Sequence, residues 1–186
     1  MEIKISRELN IIINFARDEA MRTGSYGISP DHLLLGIIRH RENAAAESLL
    51  GLSVDLDALK QSIDENIRTD KYIPFSEFEK VSLSRGAYNI LSITIFEATK
   101  AGSAIVRPEH LLLALLRSSV SGFGQTWLND RGIDYDCVRN YMEAAGLFPG
   151  TDSQDRHDET GGPEPSQGDS GQKEQHAEES SVLEKY

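Results

Sequence analysis

Apolar residues in the first part of the chain recur with a helical period. Leu9, Ile12, Ile13, Ala16 and Ala20 fall at steps of three and four, one face of a helix. This predicts a first helix over residues 7–22 with Ser6 as its N-cap. Leu33, Leu34, Leu35, Ile37 and Ile38 cover nearly every side of the next segment, so a second helix is predicted to be the most buried of its group. It opens at Pro30 behind Ser29. Proline suits the first helical position, where its missing N–H removes no bond, and Asp31 lies against the positive end of the helix dipole. A short third helix over residues 43–50 stops at Gly51. A fourth follows the Asp55 cap, with Leu56, Leu59, Ile63 and Ile67 as its stripe.

The pattern then starts again. Residues 29–39 read SPDHLLLGIIR, and residues 107–117, 78 positions on, read RPEHLLLALLR. The same shift carries Ser6-Arg7 onto Ser84-Arg85, Ile12-Ile13 onto Ile90-Leu91, Glu19-Ala20 onto Glu97-Ala98, and Leu50 onto Leu128. After that the second copy has gained one residue, and Val54-Asp55 matches Ile133-Asp134 at a shift of 79. One added residue at a turn is what a structural repeat tolerates. The second copy predicts a fifth helix capped by Ser84, with Leu83 and Tyr88 as a hydrophobic staple. A sixth helix starts at Pro108, a seventh covers residues 123–128, and an eighth is capped by Asp134. The predicted fold class is all-α: a tandem duplication of a four-helix unit, eight helices with approximate two-fold symmetry. The predicted boundaries are 1–67 for the first copy, 68–82 for a connector, 83–147 for the second copy and 148–186 for a tail. In the connector, Tyr72, Ile73, Phe75 and Phe78 predict packing against the body.

Charge sharpens this division. The net charge of −11 is concentrated in the tail, where residues 149–186 hold ten acidic and three basic side chains against 20 and 16 in the rest. Neither part offers the basic face that a phosphate backbone requires, so a nucleic-acid partner is not expected. The tail is rich in Gly, Pro, Ser and acid. That composition cannot offset the entropy of ordering and predicts disorder. Cys137 is the only cysteine, which excludes an internal disulfide. The longest apolar stretch, residues 33–38, is too short to span a membrane. The start MEIKISRELN has no apolar run of signal-peptide length. A cytoplasmic chain without membrane contact is the expectation.

Candidate chemistry is sparse. His32 and His110 hold equivalent places at the third helical position, but Gly36 and Ala114 stand where a second helical ligand would be. Local hydrogen bonding at a helix start therefore fits better than a metal. Cys137 has neither a base nor a pKa-lowering neighbour in sequence and reads as a small core side chain. Trp127 beside Leu128 reads as core. There is no G-x-x-x-x-G-K-[ST], and hence no loop for nucleotide phosphates. With no constellation for catalysis, no enzyme activity and no cofactor are expected.

The two helix starts PDHLLLGIIR and PEHLLLALLR, each followed by a short helix and a turn ending in Val-Asp or Ile-Asp, resemble the Clp N-terminal repeat. Two tandem copies of it form the N-terminal domain of Clp-type unfoldases, and the likeness is greatest to the ClpC branch. It covers roughly residues 5–146. Since the ATPase modules are not in this sequence, the resemblance implies a stand-alone N-domain. As a binding module it would engage a Clp unfoldase, its adaptors or tagged client proteins. In the ClpC branch such domains also recognise phosphorylated arginine. The positions that do so there correspond here to Ser6 and Asp31 in the first copy and to Ser84 and Glu109 in the second. A carboxylate accepts from guanidine nitrogens, and a capped helix N-terminus presents donors to phosphate. The pattern departs in three ways: Asp31 is a methylene shorter than the family's Glu, Pro30 and Pro108 replace Thr, and Arg107 precedes the second start. Helix capping and the dipole account for all four residues without a ligand. Two other roles stay open from sequence: a structural subunit of an oligomer, and, with least support, a small helical enzyme.

Overall fold

The computed structural model describes residues 3–119 and 122–147; the predicted tail, 148–186, lies outside them. The described residues all fall in one compact unit, Met1–Asp152. Helices α1 (Arg7–Thr23), α2 (Pro30–His40), α3 (Ala44–Gly51) and α4 (Leu56–Ile67) form the first copy. Helices α5 (Arg85–Lys100), α6 (Pro108–Arg117), α7 (Phe123–Asn129) and α8 (Tyr135–Ala144) form the second. Local sequence sets the starts. The Ser6, Asn43, Asp55, Ser84 and Asp134 side chains each accept a backbone N–H three residues on, which satisfies donors a helix end leaves unpaired.

The buried centre is built from α2 and α6. Residues 30–38 of α2 and 108–116 of α6 are all buried, and each fully buried leucine there contributes roughly 1.5–3 kcal/mol. α2 packs against α1, and α6 against α5. Gly36 lets α1 come close, because a Cβ at that position would lie 2.5 Å from the Ile12 carbonyl oxygen. Ala114, its counterpart, carries that Cβ.

Four two-residue strands, which the sequence reading did not anticipate, tie the copies together. β1 (Lys4–Ile5) pairs in parallel with β4 (Ile105–Val106), and β2 (Gly27–Ile28) with β3 (Ser82–Leu83). The shift of 78 that relates the copies carries β1 onto β3 and β2 onto β4. Each pair therefore joins the strand before the first helix of one copy to the strand before the second helix of the other. The exchange gives the structure its approximate two-fold relation.

The connector only partly follows the expectation. Ile73 is buried and donates its N–H to the Met21 carbonyl at 2.9 Å. Phe78, in a 3-10 helix over Phe75–Lys80, packs under the Arg17 guanidinium. Tyr72 and Phe75 remain 77% and 81% exposed. The Leu83–Tyr88 staple is also not buried: both side chains are exposed, and Leu83 lies in the strand paired with β2.

Candidate functional site

The strand exchange decides which candidate residues meet. Ser6 donates its N–H to the Val106 carbonyl at 2.9 Å, just before the start of α6, and Ser84 donates to the Ile28 carbonyl at 3.0 Å, just before the start of α2. Ser6 thus neighbours Glu109, and Ser84 neighbours Asp31. Sequence reasoning had grouped Ser6 with Asp31 and Ser84 with Glu109, each within its own copy. Only the long-range strand register could have revealed the crossed grouping. Both serine side chains cap their own helices, Ser6 Oγ accepting from Leu9 N at 3.1 Å and Ser84 Oγ from Ala87 N at 3.1 Å. Each hydroxyl proton stays available as a donor.

The two carboxylates occupy equivalent backbone positions in different states. Asp31 is buried, and its oxygens accept from Phe123 N at 3.1 Å and Gly124 N at 2.8 Å. It caps α7 of the other copy. Gly122, at the N-cap of α7, has no side chain to do so; its φ of +96°, and the 2.6 Å between a Cβ there and Asp31 Oδ2, require glycine. Burial raises the Asp31 pKa, and the two backbone N–H bonds partly offset that.

Glu109 is buried to the same degree, 7% exposed, yet no other described residue donates a hydrogen bond to its carboxylate. The helix it would cap, α3, is already capped by Asn43, whose Oδ1 accepts from Ala46 N at 2.9 Å. Burial raises the Glu109 pKa. Its own backbone N–H and the nearby Arg107 act against the rise, while Glu8 and Glu47 add to it. The two carboxylates therefore differ in what they hold: Asp31 is engaged by α7 of the other copy, whereas Glu109 bonds to its own backbone N–H.

The histidines fix helix starts. His32 Nδ1 accepts from Ser29 N at 2.9 Å, so the proton sits on Nε2, 2.8 Å from Thr23 Oγ1. Burial first, then Arg22, lowers its pKa to about 4. His110 Nδ1 accepts from Arg107 N at 3.0 Å in the equivalent place. Among the described residues no group of three or more His, Cys, Asp or Glu gathers as metal ligands would. Trp127 is buried with the Arg131 guanidinium 3.5 Å from its ring centre, and Cys137 is half-buried against the core.

One pair of contacts went unread. The arginine ending each repeated motif reaches a buried glutamate on the first helix of its copy: Arg117 Nη1 lies 2.8 Å from Glu97, and Arg39 Nη1 lies 3.5 Å from Glu19. Glu19 is also bound by Arg22 Nε at 2.8 Å, and Glu97 by Tyr135 Oη at 2.9 Å. The signal was present, since both the arginine and the Glu-Ala step recur at the shift of 78.

A family model described as the Clp repeat (R) N-terminal domain matches residues 4–144. The chaperone protein ClpB of Oceanobacillus iheyensis is 27% identical over 131 residues, 70% of this chain and 16% of that protein. The negative regulator of genetic competence ClpC/MecB of Bacillus subtilis gives the same figures, 27% over 131 residues, 70% and 16%. The chain thus spans about a sixth of the length of these relatives. Among solved structures, the Hsp104 N-terminal domain from Candida albicans superposes with a TM-score of 0.61 at 16% identity, covering 79% of this chain and 93% of that one. The N-terminal domain of the chaperone ClpD from Arabidopsis thaliana gives a TM-score of 0.59 at 16% identity, covering 76% and 94%. At that identity the superpositions establish the all-α repeat fold alone.

Proposed function

The chain belongs to the Clp repeat N-terminal domain family, and on that premise we propose that it is a non-catalytic docking module of the Clp chaperone and protease system. It would recognise adaptors or degradation-tagged proteins, arginine-phosphorylated ones among them, in the cytoplasm. The observation that supports the reading is the buried carboxylate of Glu109, bonded to its own backbone N–H and not, like Asp31, to another helix, beside the capped N-terminus of α1. A phosphorylated arginine offers guanidine N–H donors at one end and an anion at the other. Glu109 supplies an acceptor for the first, worth most where water is excluded. The Ser6 hydroxyl, the unpaired N–H groups opening α1 and the nearby Arg107 supply donors for the second. Asp31 spends both oxygens on α7, so this reading assigns one ligand per chain, bound at Ser6–Glu109.

Calorimetric titration with an arginine-phosphorylated peptide and its unphosphorylated twin tests it. The expected result is a single site for the phosphorylated peptide alone. Glu109→Gln should weaken it at least about tenfold, as losing a charge-assisted bond implies, while Ser84→Ala leaves it unchanged. No binding, or two equal sites, would refute the assignment.

A further inference from the structure

We propose that the outer face of α5 is a docking site for an acidic peptide segment of a partner protein that carries leucine or aromatic anchors. Tyr88, Ile95 and Phe96 are 65%, 40% and 53% exposed. At 100° per residue they fall, with Arg85 and Ser92, within an arc of roughly 100° along the helix. Three large apolar groups in one exposed stripe mark a contact surface more often than three scattered ones.

The internal repeat supplies a control. At the shift of 78 the counterparts of Tyr88, Ile95 and Phe96 are Asn10, Arg17 and Asp18. In the first copy the connector touches this face only at Arg17, which lies over Phe78, while Asn10 and Asp18 are exposed. Two equivalent faces, both turned largely outward, thus carry polar groups in the first copy and apolar ones in the second. Burial inside this domain therefore does not account for the apolar residues.

Charge selects the occupant. The only acid on α5, Glu97, is buried and paired with Arg117 and Tyr135. Arg85 and Lys100 are exposed, and the Arg117 guanidinium lies over the Phe96 ring. Beside the stripe runs a hollow of about 580 Å³ whose walls include Arg85, Asn89, Ser92 and Ser119 and, among the described residues, no carboxylate. On a chain of net charge −11, this face offers cations and hydrogen-bond donors around apolar anchors. A second copy docking face to face would set Arg85 and Lys100 against themselves, whereas an acidic segment would meet complementary charge.

The test is a titration of the isotope-labelled full chain, followed by amide spectra. The probe is a synthetic peptide of alternating Glu and Leu blocks, and the control has Lys in place of Glu. Expected are shifts concentrated in residues 85–100 with the acidic peptide, absent with the lysine peptide and reduced by added salt. Arg85→Glu should abolish them without lowering helicity, since an acid is favourable at that helix start; Tyr88→Ser/Ile95→Ser should do so as well. The proposal is overturned if shifts fall elsewhere or are equal for both peptides. It is also overturned if the α5 signals of the free chain already move on dilution, which would identify a second copy as the occupant.

Discussion

At the scale of single residues, His32 shows how burial sets a pH limit. Nδ1 accepts from Ser29 N, so protonating that nitrogen would bring two donors together, and burial lowers the pKa to about 4. An unfolded histidine titrates near 6.5. A base whose folded pKa lies below its unfolded value contributes stability that is complete above about 6.5 and is lost as pH falls toward 4. Over that window the loss is on the order of 3 kcal/mol. Asp31 and Glu109 act in the opposite sense, since burial raises both: stability gains from them as pH falls through their folded values. The histidine contribution is isolated by comparing wild type with His32→Asn, whose amide oxygen still accepts from Ser29 N. Denaturant unfolding at pH 7 should find the variant less stable by about 1 kcal/mol. At pH 4.5 the order should reverse or vanish. A constant difference across that range would contradict a buried neutral imidazole.

Among the elements, the helix starts were legible in the sequence because their causes are local. Ser6, Asp55, Ser84 and Asp134 each cap through a bond three residues away, so a short window contains both partners; Asn43, placed by the sequence inside the third helix, caps it in the same way. The strands were not legible: two residues carry no period, and their partners lie in the other copy. α7 itself was legible over residues 123–128, but its cap was not, for the same reason. Its N-terminus has no capping side chain of its own, and the carboxylate that serves it is Asp31, 92 positions earlier in the chain. Read locally, Asp31 was a dipole-favoured residue of α2; in the fold it fastens one copy to the other. Asp31→Ala should leave two buried N–H groups unpaired and cost about 2 kcal/mol, with the loss of protection localised. Hydrogen exchange should speed up most in residues 123–129 and much less in α3, which Asn43 caps. Asp31→Asn should not rescue it fully, because an amide presents only one acceptor to two donors. Uniform acceleration over the whole chain would mean that the contact carries no particular load for α7.

For the molecule as a whole, duplication would suggest two units able to fold separately, and the packing argues against it. α2 is buried along residues 30–38; α1, α3 and α4 of its own copy contact it, and so do α5, α6 and α7 of the second copy. β2 finds its partner in β3, and α7 its cap in Asp31. Cutting between the copies would uncover several leucines, at roughly 1.5–3 kcal/mol each, a loss comparable with the roughly 5–15 kcal/mol of stability a domain has. Residues 1–80 made alone should therefore show no cooperative thermal transition, and residues 81–186 alone should show none either. Mixing the two should restore a sigmoidal melt whose midpoint rises with concentration, as expected when folding is coupled to association. A cooperative melt from either fragment by itself would show that each copy holds its own core. In that case the exchanged strands and the Asp31 cap would join two finished domains and would not complete one.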